Sequence, residues 1–242
     1  MAATAMCVAV ATEASAQTTP HDPQGDRTVV LNNQLQLGDV ISGQTLDVYN
    51  PNDQVTVSGQ ASGNSIYGST EGQNITLRSR QDQQGHVRAS TDVTLTGDVE
   101  GILHVATQAT GNYTAAGVHG SELSLDSDQT VGEVDIVANT NINAQSARLL
   151  GGGSISSTAI ANTAVLEGTN ATLTADAVQR SAATVRAGNL GGSYYTPGST
   201  HYSGQAIANA FSASSDGASN QNVYTRQYSY GEFIESDVSG NA

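Results

Sequence analysis

Five histidines, His21, His86, His104, His119 and His201, are the first side chains to weigh for chemistry. None stands in an HxH or HExxH pattern or beside paired carboxylates, and zinc needs three or four converging ligands. Solvent-facing positions account for them. Serine and aspartate are so frequent that a Ser–His–Asp triple can be drawn anywhere, yet no G-x-S-x-G nucleophile elbow occurs. The run GGGS (Gly151–Ser154) lacks the aspartate of a repeat-type calcium loop. The expectation is a chain with no catalytic, cofactor or metal site, and no enzyme.

One cluster has binding chemistry. Six of the nine tyrosines follow residue 193: Tyr194, Tyr195, Tyr202, Tyr224, Tyr228 and Tyr230. In NVYTRQYSYGEF, the residues Tyr224, Arg226, Tyr228 and Tyr230 fall at even spacing and would share one face of a strand. Rings and a guanidinium on one face make a surface for a sugar or a protein partner. The competing explanation is a terminal cap, where bulky side chains cover the end of a repeat stack. A truncated further repeat is the third. Three N-x-T sequons, Asn74, Asn112 and Asn170, lie at repeat positions and are explained by turn and strand-edge chemistry.

The elements that would position such residues are set by a repeat. QASGN (Gln60–Asn64) recurs 48 positions on as QATGN (Gln108–Asn112), and fades to TAIAN (Thr158–Asn162) and QAIAN (Gln205–Asn209). Shifted by 48, GQNITLRSRQ (Gly72–Gln81) lies over GSELSLDSDQ (Gly120–Gln129), and a further 48 aligns Gly168, Ala171 and Leu173. A second track, 49 apart, aligns Ala89, Ala138 and Ala187, and also Val93, Ile142 and, with one residue of slack, Leu190. Gly38–Val48 matches Gly85–Leu95 at 47. Within a unit, apolar residues alternate with Ser, Thr, Asn or Asp, which signals strands punctuated by Gly, Asn and Asp turns. Even Ser157–Gly168, with helix-like spacing, reads as strand from its Thr and Val.

Composition selects the architecture. Hydrophobic residues are only 37%, with no Trp, two Phe and no Lys, so a thick core is excluded. Only 12% of residues are charged, unlike a disordered chain. A thin, stacked core fits: a parallel β-solenoid (β-helix) of ~48-residue repeats, each read as two coils of about 24. About nine coils at ~4.8 Å would make a rod of roughly 40 Å. On that model Arg78/Arg80 and Asp126/Asp128 stand two coils apart, roughly 10 Å, as part of a charge ladder. A β-propeller-like ring is the alternative, although its blades pack through bulkier residues.

The net charge of −14, from 22 acids against eight Arg, argues against nucleic acid or anionic lipid as partner. Ala14-Ser15-Ala16 before Gln17 is an A-x-A cleavage pattern after a short apolar segment, so residues 1–16 read as an export signal with an incomplete start. Cleavage there would remove Cys7, the single cysteine, and no later hydrophobic span suggests a membrane crossing. The expected organisation is a flexible segment at 17–27, solenoid repeats at 28–193, and a Tyr-rich last repeat or cap at 194–242.

The segment NNQLQLGDVISGQTLDV (Asn32–Val48), then ASGNSIYGSTEG (Ala61–Gly72), with recurrent TGN and SGN elements, resembles the holdfast anchor proteins of the HfaD type from stalked and prosthecate Alphaproteobacteria. The resemblance implies a protein at the outer-membrane surface that tethers the adhesive holdfast polysaccharide to the cell. It implies companion anchor proteins, one resembling a curli-type secretion pore, and no catalytic residues. A rigid exported rod agrees with that, and exposed solenoid ends could self-associate into fibres. The other function class is a carbohydrate-active β-helix enzyme or a phage- or secretion-type spike, which would be trimeric with an acidic groove.

Overall fold

Alternation of apolar and small polar residues is realised as strands almost throughout. The computed structural model describes residues 3–10, 16–18, 27–49, 51, 53–195 and 197–241. In chain order the strands are β1 (Ala3–Val10), β2 (Ala16–Thr18), β3 (Arg27–Gln36), β4 (Val40–Val48), β5 (Val55–Glu71), β6 (Asn74–Gln83), β7 (Val87–Leu95) and β8 (Leu103–His119). There follow β9 (Glu122–Val131), β10 (Asp135–Arg148), β11 (Gly153–Thr169), β12 (Thr172–Ser181), β13 (Thr184–Tyr195), β14 (Thr200–Asp216), β15 (Asn220–Ser229) and β16 (Ile234–Asn241). They form three stacked sheets. The first holds β1-β5-β8-β11-β14, the second β2-β3-β6-β9-β12-β15, and the third β4-β7-β10-β13-β16. Every pairing is parallel except the short antiparallel β2–β3 contact. This is the parallel β-solenoid expected from the core composition, not a propeller.

The coil is larger than expected. Val55 pairs directly with Leu103, and Val40 with Val87, so residues 48 and 47 apart are neighbours in adjacent layers. One repeat is therefore one coil, not two coils of about 24. The segments that look alike within a repeat, such as Ile75/Leu77 and Val93/Leu95, belong to different sheets and do not stack. The first sheet has five layers, so its stack rises about 20 Å at ~4.8 Å per step.

Buried columns run up the axis. Ile75, Leu123 and Leu173 stack in the second sheet, and Val87, Ile136 and Val185 in the third. Val57, Val105 and Ile155 form a column that half-buried Tyr202 continues. Each such side chain contributes about 1.5–3 kcal/mol on burial, so many small columns replace one thick core. Where the first and third sheets come closest, Ala61/Ala109/Ala159 face Ala89/Ala138/Ala187.

Between the apolar columns run polar ladders. Asn64 donates to Asn112 Oδ1, Asn112 to Asn162, and Asn162 to Asn209, at 2.8–2.9 Å. Gln81 donates to Gln34 Oε1, Gln129 to Gln81, Gln179 to Gln129 and Gln227 to Gln179, at 2.7–2.9 Å. The two ladders lock together across the interior. Each Asn donates to the carbonyl one residue beyond the facing Gln (Asn112 to Thr130, 2.8 Å), and each Gln to the carbonyl one residue beyond the Asn (Gln129 to Thr163, 2.9 Å). A third line of hydroxyls, Thr91, Thr107, Thr140 and Ser157, joins the first and third sheets at 2.7–2.8 Å. The amides and hydroxyls of these ladders are tolerated in the interior because they find partners in one another and in the facing carbonyls.

The repeated pentapeptide sits at mid-strand, where the sequence suggested turn punctuation. In β8 the inward residues are odd-numbered up to Ala109 and even-numbered from Asn112, so the strand exchanges its two faces at Thr110–Gly111. The first half thus faces the third sheet and the second half the second sheet. Gly111 is needed there, since a Cβ would stand 2.5 Å from the Ala161 carbonyl oxygen of the next layer.

The tight corner from the first sheet to the second uses positive φ at Gly72 (67°), Gly120 (69°), Asn170 (51°) and Gly217 (72°). The corner residue of the third repeat is thus Asn170, not Gly168, which pairs with Val118 inside β11. A two-residue insertion lengthens that step to 50, as Leu173 facing Leu123 also shows. Leu190 pairs with Asn141 and faces outward at 60% exposure, so it leaves the core column that holds Val93 and Ile142.

β1 pairs with β5 within the expected export signal. Ala14 and Ser15 of its cleavage pattern, and residues 19–26 of the expected flexible segment with His21, lie outside the described residues. No helix among the described residues is long and apolar enough to cross a membrane.

Candidate functional site

Tyr224, Arg226 and Tyr228 alternate along β15 and so project from one face, the outer face of the second sheet. Their layer partners on β12 are Asp176, Val178 and Arg180, which face outward too. Tyr230 follows the strand, and its backbone N–H still donates to the Ser181 carbonyl of the layer beneath (2.7 Å). The four residues form two contacting pairs. The Arg226 guanidinium lies 5.2 Å from the centroid of the Tyr224 ring and 3.4 Å from Asp176 Oδ1. The rings of Tyr228 and Tyr230 are parallel within 3°, their centroids 6.2 Å apart. Tyr224 is 58% and Tyr230 68% exposed, so the ring faces remain open to a partner. A cation over a ring is attracted by its quadrupole, so Arg226 orients Tyr224 from one face of the ring.

β14, β15 and β16 pair in register with β11, β12 and β13 and so form a further layer. Gln227 carries the glutamine ladder into it. The side chains of Tyr194 and Tyr195 lie outside the described residues. Tyr202 is committed to a core column, where burial pushes its hydroxyl pKa up.

Charged groups concentrate on the same outer face. Arg78 and Arg80 pair in register with Asp126 and Asp128 of the adjacent layer, not two coils away. Neither guanidinium has an ion-pair partner among the described residues: Asp128 is taken by Arg180 (2.6 Å), and Asp126 stays unpaired. Where the ladder closes it is staggered: Arg180 reaches Asp128 and Arg226 reaches Asp176, each from the next layer and not from the position opposite in register. Elsewhere Arg88 pairs with Asp135 (2.6 Å), and Arg148 donates to Asp98, holding that carboxyl below its usual range. These exposed pairs contribute little stability.

The described histidines are spread around the coil. His86 Nδ1 accepts the Asp135 backbone N–H (2.9 Å), and His119 stands 4.0 Å from Glu71. His104 and His201 flank Ser154 in one column of the first sheet. Among the described residues no three His, Cys, Asp or Glu side chains converge. Of the sequons, Asn74 and Asn170 have the expected corner chemistry, accepting the backbone N–H of Glu122 (2.9 Å) and Ala218 (3.0 Å). Asn112 does not; it is fully buried in the ladder. The Asn and Gln ladders are the feature that reasoning from sequence missed, although Gln81/Gln129 and the pentapeptide Asn already aligned.

Compared with known proteins, residues 49–242 match a family model described as Holdfast attachment protein D. No curated protein and no solved structure matches.

Proposed function

Because the chain belongs to the family of holdfast attachment protein D, we propose that it is a non-enzymatic, exported cell-surface anchor that tethers an adhesive polysaccharide to the cell envelope. The observation that carries this reading is the division of labour within each coil. The interior is spent on locking layers together through the Asn–Gln double ladder, while the outer faces repeat at one-layer spacing. A rod of that kind offers many weak contacts in fixed geometry, whose avidity far exceeds any single contact when all engage at once. The Tyr224, Arg226, Tyr228 and Tyr230 cluster is the contact surface assigned to the adhesive or to a companion protein. Companion anchor and secretion-pore proteins hold the rod at the outer membrane in this reading, and copies associate through their solenoid ends.

The test is deletion of the protein, followed by imaging of the adhesive. The expected outcome is adhesive still produced but shed into the medium or left on the substratum. Adhesive that stays firmly on the deleted cells would overturn the anchor.

A further inference from the structure

We propose that the outer face of the second sheet is a binding rail for a linear, uncharged, hydroxyl-rich glycan lying parallel to the solenoid axis, with one end on the Tyr224 ring. The proposal rests on the tether reading above and names the ligand class of its surface. A trough crosses four layers, β6, β9, β12 and β15. One wall is the register column Arg78, Asp126, Asp176 and Tyr224; the other presents one hydroxyl or amide per layer, from Thr76 to Asn222.

Three features point to a ligand here. First, hydrogen-bonding capacity is unspent. Thr76 is only 9% exposed, yet its Oγ1 has no hydrogen-bond partner among the described residues. A buried orphan hydroxyl is costly unless something supplies its partner. Arg78 and Asp126 also lack partners among the described residues. Second, Asp126 and Asp176 are register neighbours, about one layer spacing (~4.8 Å) apart. Like charges directly opposite each other destabilise a sheet, and a ligand donating hydroxyls to both would offset that. Third, the face is close to balance in an acidic molecule. Arg78, Arg80, Arg180 and Arg226 stand among Asp82, Glu122, Asp126, Asp128 and Asp176, whereas the whole chain carries −14.

A polyanionic glycan would meet the repulsion of the whole acidic molecule. An uncharged one would not. Its hydroxyls donate to the carboxylates and accept from the guanidiniums, while the apolar face of one sugar ring rests on Tyr224, an amphipathic side chain suited to that role.

The experiment uses the full chain with cellohexaose and chitohexaose as uncharged probes, and oligogalacturonate and chitosan oligomers as charged ones. Calorimetry is run at low and high salt. The expected result is binding of an uncharged hexasaccharide that hardly changes with salt, since screening acts on charges. Tyr224→Ala and Asp126→Asn should each weaken it about tenfold, roughly 1.4 kcal/mol. Thr45→Ala, on the outer face of the third sheet, should not, and circular dichroism should show all three variants folded. Binding of charged oligomers alone, loss of binding in salt, unchanged affinity in both variants, or no binding of either uncharged probe would each overturn the proposal. If that happens while deletion still sheds the adhesive, the tether stands and only this face is wrong.

Discussion

Asn112 shows how one side chain ties its own strand to three others. It accepts from Asn64, donates to Asn162 in the next layer, and donates to the Thr130 carbonyl across the interior. Asn112→Ala would strand an N–H and two carbonyl oxygens away from water, and each buried orphan costs roughly 1–3 kcal/mol. The expected loss is about 3 kcal/mol or more. Asn209 closes the same ladder in the exposed β14 layer, where water can replace a lost partner, so Asn209→Ala should cost about 1 kcal/mol or less. Denaturant unfolding of the two variants checks this. Equal losses would mean that the ladder is incidental to stability.

At the scale of elements, the corners between the first and second sheets decide the register. Gly120 adopts φ 69° with open space where a Cβ would stand, so backbone strain alone limits substitution there. The equivalent corner three strands on, in the next layer, is already occupied by Asn170 at φ 51°. Asn tolerates the left-handed region and β-branched residues do not. Gly120→Asn should therefore shift stability by less than about 0.5 kcal/mol, and Gly120→Val should cost about 1–2 kcal/mol. Thermal melts of both variants test it, and a well-tolerated valine would show that the corner is free to rearrange.

For the whole molecule, stability follows from stacking. Each layer touches only the layers above and below, so opening should begin at exposed layers and travel along the axis. β15 is exposed along its whole length, whereas β9 and β12 alternate buried and partly buried or exposed residues. Amide hydrogen exchange should be slowest in β9 and β12 and fastest in β15 and β16. Uniform protection along the axis would contradict this quasi-one-dimensional picture. The same architecture fixes the charge pattern in space: Arg180 reaches Asp128, and Arg226 reaches Asp176, because the partner stands one layer spacing away.

Alternation is a local property, so the strands were legible in the chain itself. Recurrence near 48 residues gave the correct layer register for Gln60/Gln108/Thr158/Gln205 and for Ala89/Ala138/Ala187. The even spacing of Tyr224, Arg226 and Tyr228 likewise placed them on one strand face. Coil size was not legible, because a period states which residues are equivalent and not how many sides the chain turns between them. The corner at Asn170 is misplaced by sequence, because the glycine track carries on at 48 to Gly168 although the pentapeptide already steps 50 from Gln108 to Thr158. The deepest difference concerns the asparagines and glutamines. By sequence an Asn in a Gly-rich stretch marks a turn. Only a second sheet, bringing the Thr130 carbonyl within 2.8 Å of Asn112, makes it an interior residue. The pattern of strands follows from neighbours along the chain; the fate of a polar side chain follows from partners that only folding supplies.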